Sequence, residues 1–336
     1  VRAFQAAVPL FGAFIPSAAF AGPLQYLSGA GQKAMPVVWL TWGVLLISIT
    51  VMVIIALLLA GAIWHRPGLS WSPNEKLALQ SPQGGLNWLW IGVGLSTLVL
   101  LFSIVWTVKV LAQIEAPPDR PSVTIEITGK QWWWQVRYLS NNVSRQFTTA
   151  NEIHIPVGQP VRLKLIGGDV IHSFWVPKLA GKMDAIPGQT NETWIEADAP
   201  GIYRGQCTEY CGLQHARMGL LVVAQSPAAF QAWWSHQLAA PAVPQGVAGL
   251  GQQEFQMHCA SCHTVRGTDA AGALGPDLSH LMQRHLIAAD TVPNDSATLG
   301  RWISDPQSIK PGALMPTPEL STRELADVHA YLNTLD

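Results

Sequence analysis

Two long runs without a single charged residue constrain this chain more than any other feature of it. Residues 37–64, VVWLTWGVLLISITVMVIIALLLAGAIW, are uncharged over 28 positions, and about 20 apolar residues are enough for a helix to cross a bilayer. Residues 86–108, LNWLWIGVGLSTLVLLFSIVWTV, are again uncharged, with tryptophans near both ends where membrane interfaces favour them. Two spans make a transmembrane hairpin over residues 37–117. Only 12% of the chain is charged, against roughly 25% in soluble domains. The connecting residues 65–85 hold Arg66, Glu75 and Lys76, a weak positive-inside signal for a cytoplasmic loop. Ahead of the first span, residues 1–36 form an N-terminal extension or a signal-like segment. Its Ala19-Phe20-Ala21 resembles a signal-peptidase site, while Arg2 is the sole charge before it.

Beyond the hairpin the texture changes twice. From residue 122, short runs such as SVTIEIT, WWWQVRYL, EIHIPV, VRLKLIG and GLLVVA are punctuated by Gly, Pro and Asn, as in all-β sandwiches and barrels. They predict a β-barrel over 118–225. A short helix opened by Ser226-Pro227 follows, and AAPAVPQGVAGLG then reads as a flexible tether, giving a helix-and-linker segment at 226–247. Residues 248–336 are expected to be helical. Their last helix starts with a capping box, Ser321 and Glu324, and carries Leu325, Val328, Leu332 and Leu335 on one face. Residues 121–240 hold nine basic and eight acidic side chains and residues 241–336 five and ten, which excludes a nucleic-acid-binding surface.

The chain has four cysteines, and all lie in two motifs, so none remains for a structural disulfide. CASCH, with Cys259, Cys262 and His263, is the signature of covalent haem attachment, two thiols adding to the porphyrin and the histidine ligating iron. Met315, in a Pro/Gly loop before the last helix, is the expected sixth ligand, with Met282, His280 and His285 as competitors. GPDL, at 275–278, supplies a loop to pack against His263. The other motif, GQCTEYCGLQHARM, places Cys207, Cys211 and His215 every fourth residue, with Met218 close behind and His172 available from a strand end. Two cysteines and two histidines suit a structural zinc. Thiolate, imidazole and thioether together suit copper, and a haem on the same chain calls for a redox partner.

The series QWWWQVRY (131–138), DVIHSFWVP (169–177), KMDAIPG (182–188) and the cysteine motif resembles subunit II of haem-copper cytochrome c oxidases. The CASCH domain matches the fused form of that subunit, which carries its own cytochrome c. The resemblance implies a multidomain chain: a transmembrane hairpin, an all-β cupredoxin-like Greek-key barrel and an all-α cytochrome c domain. It implies a binuclear copper centre, CuA, bridged by Cys207 and Cys211, with His172, His215, Met218 and the backbone carbonyl of Glu209 as further ligands. The Glu209 side chain then reaches a magnesium at the interface with subunit I, and Trp132 is where electrons enter. Trp133 stands where the family often has tyrosine. Asn87 stands where it often has a glutamate at the start of the second span, so a role in proton uptake is not carried over. His65, His154, His236, His258 and His329 are read as surface or core residues.

The function this implies is that of the subunit through which electrons enter a terminal oxidase. They would pass from a soluble c-type donor through haem c and CuA to subunit I, which reduces oxygen and translocates protons. The excess acid of the haem domain would steer a basic donor. Such a chain would be a multi-pass protein of the bacterial plasma membrane with both metal domains on the outer face. A CuA and haem c subunit of a nitric oxide reductase, and a stand-alone tethered carrier, are the alternatives.

Overall fold

The computed structural model describes residues 24–65 and 86–336. The signal-like site at Ala19-Phe20-Ala21 and the charges Arg66, Glu75 and Lys76 lie outside the described residues. Helix α1, Met35–Trp64, begins with a proline in its first turn, where a fixed φ and a missing N–H cost nothing. Helix α2, Leu86–Glu115, runs beyond residue 108, and the Trp194 indole of the next domain donates to the Ile114 carbonyl near its end (3.1 Å). Leu46, Met52, Leu58, Leu98 and Phe102 are among many exposed apolar side chains on the two helices. A continuous apolar surface of this extent is suited to lipid, not to water.

A sandwich of two five-stranded sheets follows. One sheet has the order β3-β2-β1-β5-β8, from β1 Val123–Lys130, β2 Trp133–Leu139, β3 Phe147–Ala150, β5 Val161–Gly167 and β8 Thr190–Ile195. The other has the order β4-β10-β9-β6-β7, from β4 Glu152–Pro156, β6 His172–Trp175, β7 Met183–Ala185, β9 Gly201–Cys207 and β10 Gly219–Gln225. β1 and β5 pair in parallel, as do β4 and β10, whereas the hairpin partners are antiparallel. Alternation decides which face is core. Ile125, Ile127, Trp134, Val136, Tyr138, Leu163 and Leu165 all point inward and are fully buried, each contributing about 1.5–3 kcal/mol of apolar burial. Helix α3, Pro227–Leu238, is capped by Ser226 and buries Phe230 and Trp234, with Trp234 edge-on to Tyr138 and Phe147.

The C-terminal domain is built on α4, Val247–His258, crossed by α7, Thr322–Leu332, with Phe255 and Tyr331 meeting edge to face at 5.4 Å. Ser321 and Glu324 form a reciprocal capping box at the start of α7. Between them lie a two-residue hairpin, β11 Leu286–Ile287 and β12 Val292–Pro293, and the helices α5 Ser296–Ser304 and α6 Pro306–Ile309. The segment 239–246 connects α3 to α4 but is not the only link between the domains. His285 donates its backbone N–H to the buried Glu152 carboxylate of the sandwich at 2.8 Å, and its ring lies 3.0 Å from the same oxygen. A flexible tether is therefore an incomplete account of 226–247.

Candidate metal centres

The cysteine motif lies in the loop between β9 and β10. These strands are antiparallel neighbours, with Gly219 opposite Gln206, so the loop must return its chain to where it left. Cys207 and Met218 close its base, the Cys207 N–H donating to the Met218 carbonyl at 3.0 Å. Regular helix within the loop is limited to a short 3₁₀ turn, His215–Arg217. β6 pairs with β9 through Phe174 and Cys207, and this brings His172 in from the adjoining strand.

Six donor atoms converge there. The two Sγ atoms are 3.8 Å apart. Around Cys207 are the Glu209 carbonyl oxygen at 3.3 Å and His172 Nδ1 at 4.0 Å. Around Cys211 are His215 Nδ1 at 3.6 Å and Met218 Sδ at 3.7 Å. Both cysteines, His172 and Met218 are buried. The Cys211 thiol, partly opposed by burial and aided by His172, draws Cys207 down to about 4, while its hydrogen bond to Cys207 and its burial push Cys211 up. Two thiolates this close repel one another, and both ionise together only around positive charge. The donor set thus fits a thiolate-bridged metal centre, and its thioether favours copper over zinc.

His172 is oriented by a residue that the sequence reading did not single out. Its Nε2 lies 2.7 Å from Asp169 Oδ1, which leaves Nδ1 facing Cys207. Burial lowers the His172 pKa, but the Cys207 hydrogen bond and the Asp169 carboxylate outweigh it and raise the imidazole above its ordinary value. The three-residue offset in DVIH was visible, but many aspartates stand near histidines without touching them. Trp132, half-buried, donates its indole N–H to the Cys211 carbonyl at 3.0 Å, and the Gln131 side chain donates to the same oxygen at 2.7 Å. Trp134 is a core residue, edge-on to His172 at 5.8 Å.

In the C-terminal domain, one turn after α4 carries Cys259, Cys262 and His263, with the His263 N–H bonded to the Cys259 carbonyl at 3.0 Å. None of the four cysteines is paired in a disulfide. His263 Nδ1 lies 2.8 Å from the Pro276 carbonyl, which can only accept, so the ring's proton sits on Nδ1 and Nε2 is left as a lone-pair donor. Burial lowers the His263 pKa and keeps the ring neutral, the form that ligates iron. Gly275 lies against the ring face, where an added Cβ would come within 2.6 Å of Cε1. The residues fit a haem. The competing histidines are engaged elsewhere: His280 lies against the Asp336 and Ala239 carbonyls and His285 against Glu152. Met315 is half-buried, its backbone carbonyl held by Gln307 at 2.9 Å.

Fold and sites define a membrane-anchored chain with one copper-type and one haem-type domain. Residues 138–225 match the family described as cytochrome C oxidase subunit II, periplasmic domain, and residues 248–336 match cytochrome c. The chain therefore joins a domain of the cytochrome c oxidase subunit II family to a domain of the cytochrome c family. The cytochrome c oxidase subunit 2 of Alkalihalophilus pseudofirmus is 40% identical over 217 residues, which cover 64% of this chain and 61% of that one. That of Cereibacter sphaeroides is 27% identical over 268 residues, covering 67% and 86%. The solved periplasmic domain of subunit II of cytochrome oxidase from Bradyrhizobium japonicum is 34% identical and covers 35% of this chain and 95% of its own, with a TM-score of 0.33. The chain spans 61–64% of the length of the first three of its curated relatives.

Proposed function

We propose that this chain is the subunit through which electrons enter a haem-copper terminal oxidase. Its partners are subunit I, where oxygen is reduced with proton translocation, and a soluble c-type donor. The observation that carries the reading is the convergence of six donors in the β9–β10 loop, with the two cysteine sulfurs 3.8 Å apart. Cys207 and Cys211 would bridge a binuclear CuA centre. His172, His215, Met218 and the Glu209 carbonyl would complete it, and the Glu209 side chain would hold a magnesium at the subunit I interface. Cys259 and Cys262 would form thioether bonds to haem c, with His263 and Met315 as axial ligands. When bound, these groups supply two one-electron carriers on a single chain.

The chain's own residues do the positioning. Asp169 fixes the His172 ring, and Pro276 and Gly275 fix the His263 ring. Burial excludes water from both cysteines and from Met218, so little solvent rearranges when charge changes there. Trp132, bonded to the carbonyl of Cys211, is the aromatic contact through which electrons would enter the sandwich. The two apolar helices would anchor the chain in the bacterial plasma membrane as a multi-pass protein, with both metal domains on the outer face, where haem is attached. Copper loading of the full chain tests the reading. A mixed-valence EPR spectrum with one spin shared by two copper nuclei is expected. One zinc per chain with no copper signal overturns it.

A further inference from the structure

Helix α4 ends in a Glu-x-x-x-His pair, Glu254 and His258, one turn apart on the same face. The sequence reading left His258 among surface or core residues, because such a pair on a helix is ordinarily a solvated one. A third arm from the other end of the domain changes that. The first turn of α7 brings Glu324 to the pair, and one ligand atom from each of Glu254, His258 and Glu324 lies within 4.8 Å of the other two.

The three side chains are spaced as ligands rather than as hydrogen-bond partners. The Glu254 side chain is only 22% exposed, and its Oε2 is enclosed and accepts no hydrogen bond among the described residues. His258 Nε2 stands 3.6 Å from that oxygen, beyond hydrogen-bond range. Two ligands on one tetrahedral zinc lie about 3.4 Å apart, given bonds of about 2.0–2.2 Å. Glu324 is oriented from behind by the capping box. Its Oε2 accepts the Ser321 N–H at 2.7 Å, and its own N–H donates to Ser321 Oγ at 3.3 Å. The Ser321 hydrogen bonds, aided by His258, hold the Glu324 carboxyl below the ordinary glutamate range. Two carboxylates brought this close repel one another, and a bound dication removes the repulsion while satisfying the enclosed oxygen.

We propose that Glu254, His258 and Glu324 form a binding site for a divalent cation of the zinc class, separate from the haem motif and from the copper-type loop. One imidazole and two carboxylates make three protein ligands and leave the fourth tetrahedral position to water. The imidazole disfavours magnesium and calcium, and the lack of a sulfur ligand disfavours copper(I). The ion straps the first helix of the cytochrome c domain to its last, beside the contact of Phe255 with Tyr331 and immediately ahead of the turn that bears Cys259 and Cys262. The site does not depend on the function proposed above.

Equilibrium dialysis against zinc tests the site in the full chain, with haem attached and copper loaded so that the cysteines are engaged. One zinc per chain is expected. Glu254→Gln, His258→Gln and Glu324→Gln should each weaken its binding about tenfold or more, whereas Glu319→Gln, at an exposed acid before α7, should not. Glutamine still serves in a capping box, so Glu324→Gln removes the charge and keeps the helix start. No bound zinc, or zinc retained at wild-type affinity by all three variants, overturns the site. A second, insensitive zinc beside the sensitive one supports it and counts against copper in the sandwich. Hydrogen exchange tests the strap. Saturating zinc should slow the Leu325 amide, which donates to the Ser321 carbonyl in the first turn of α7, about tenfold or more in wild type and not in Glu254→Gln. Equal exchange with and without bound zinc overturns the strap.

Discussion

Asp169 Oδ1 lies 2.7 Å from His172 Nε2, and the other oxygen of the same carboxylate accepts the Gln131 N–H at 2.6 Å. One side chain therefore sets the direction of a buried imidazole and anchors the backbone leading into Trp132. Burial opposes its ionisation, but the hydrogen bonds from His172, Gln131 and Val170 hold its carboxyl below the ordinary aspartate range. Asp169→Asn should keep the fold and weaken copper binding about 10- to 100-fold, as loss of a ligand-orienting partner does. A competitive chelator titration reads this directly, and unchanged affinity would show that His172 needs no such support.

Replacing the sulfurs should separate bridge from tuner. Cys207→Ser or Cys211→Ser should abolish the binuclear EPR signal, because in the proposed centre each thiolate would serve both metals. Met218→Leu should leave the signal and raise the reduction potential, since a thioether is a weak ligand whose loss tunes the centre without dismantling it. Potentiometric titration beside EPR distinguishes the two outcomes.

Trp134 is fully buried, between the His172 and Phe174 rings at 5.8 and 5.9 Å. Trp134→Ala should cost about 3–5 kcal/mol from lost burial and the cavity left behind. Trp134→Phe should cost less. Urea unfolding of the two variants against wild type supplies the comparison.

Two groups at the domain junction give the stability a pH dependence of opposite sign. Burial raises Asp290 from 3.8 to about 6, the Arg204 charge notwithstanding. The folded chain then holds a proton that the unfolded chain has released, so this contribution falls as pH rises from about 4 to 6. Burial lowers Lys310 from 10.5 to about 7. The unfolded chain then binds the extra proton, so that contribution grows from pH 7 towards 10. Asp290→Asn should flatten the acid limb and Lys310→Met the alkaline limb of melting temperature against pH.

Orientation in the membrane is checked by protease added to intact spheroplasts. Most of the 239–246 connection is exposed, so with both metal domains outside it should be cut. Protection of that segment would reverse the topology.

Much of the copper-type and haem-type chemistry was legible in the sequence, because its donors are close together along the chain. Cys207 to Met218 lie in one loop, and Cys259, Cys262 and His263 share one turn, so spacing alone nearly fixes who can meet whom. The uncharged runs likewise dictated helices suited to lipid, since no other local structure satisfies the backbone there. Tertiary structure decided what distance in sequence conceals. Lys310 sits in a Pro/Gly loop that reads as solvated, and only docking buries it under the Trp132 carbonyl, 178 residues away. The left-handed turn at Ala288, Ala289 and Asp290 begins with two alanines, which disfavour that region, and bonds from Thr291 and Lys310 within the domain and from Gly219 and Arg204 of the other hold that backbone in place. Asp169 differs again: three residues from its partner, it acquires its role only when β6 starts at His172 and turns that ring back towards the carboxylate.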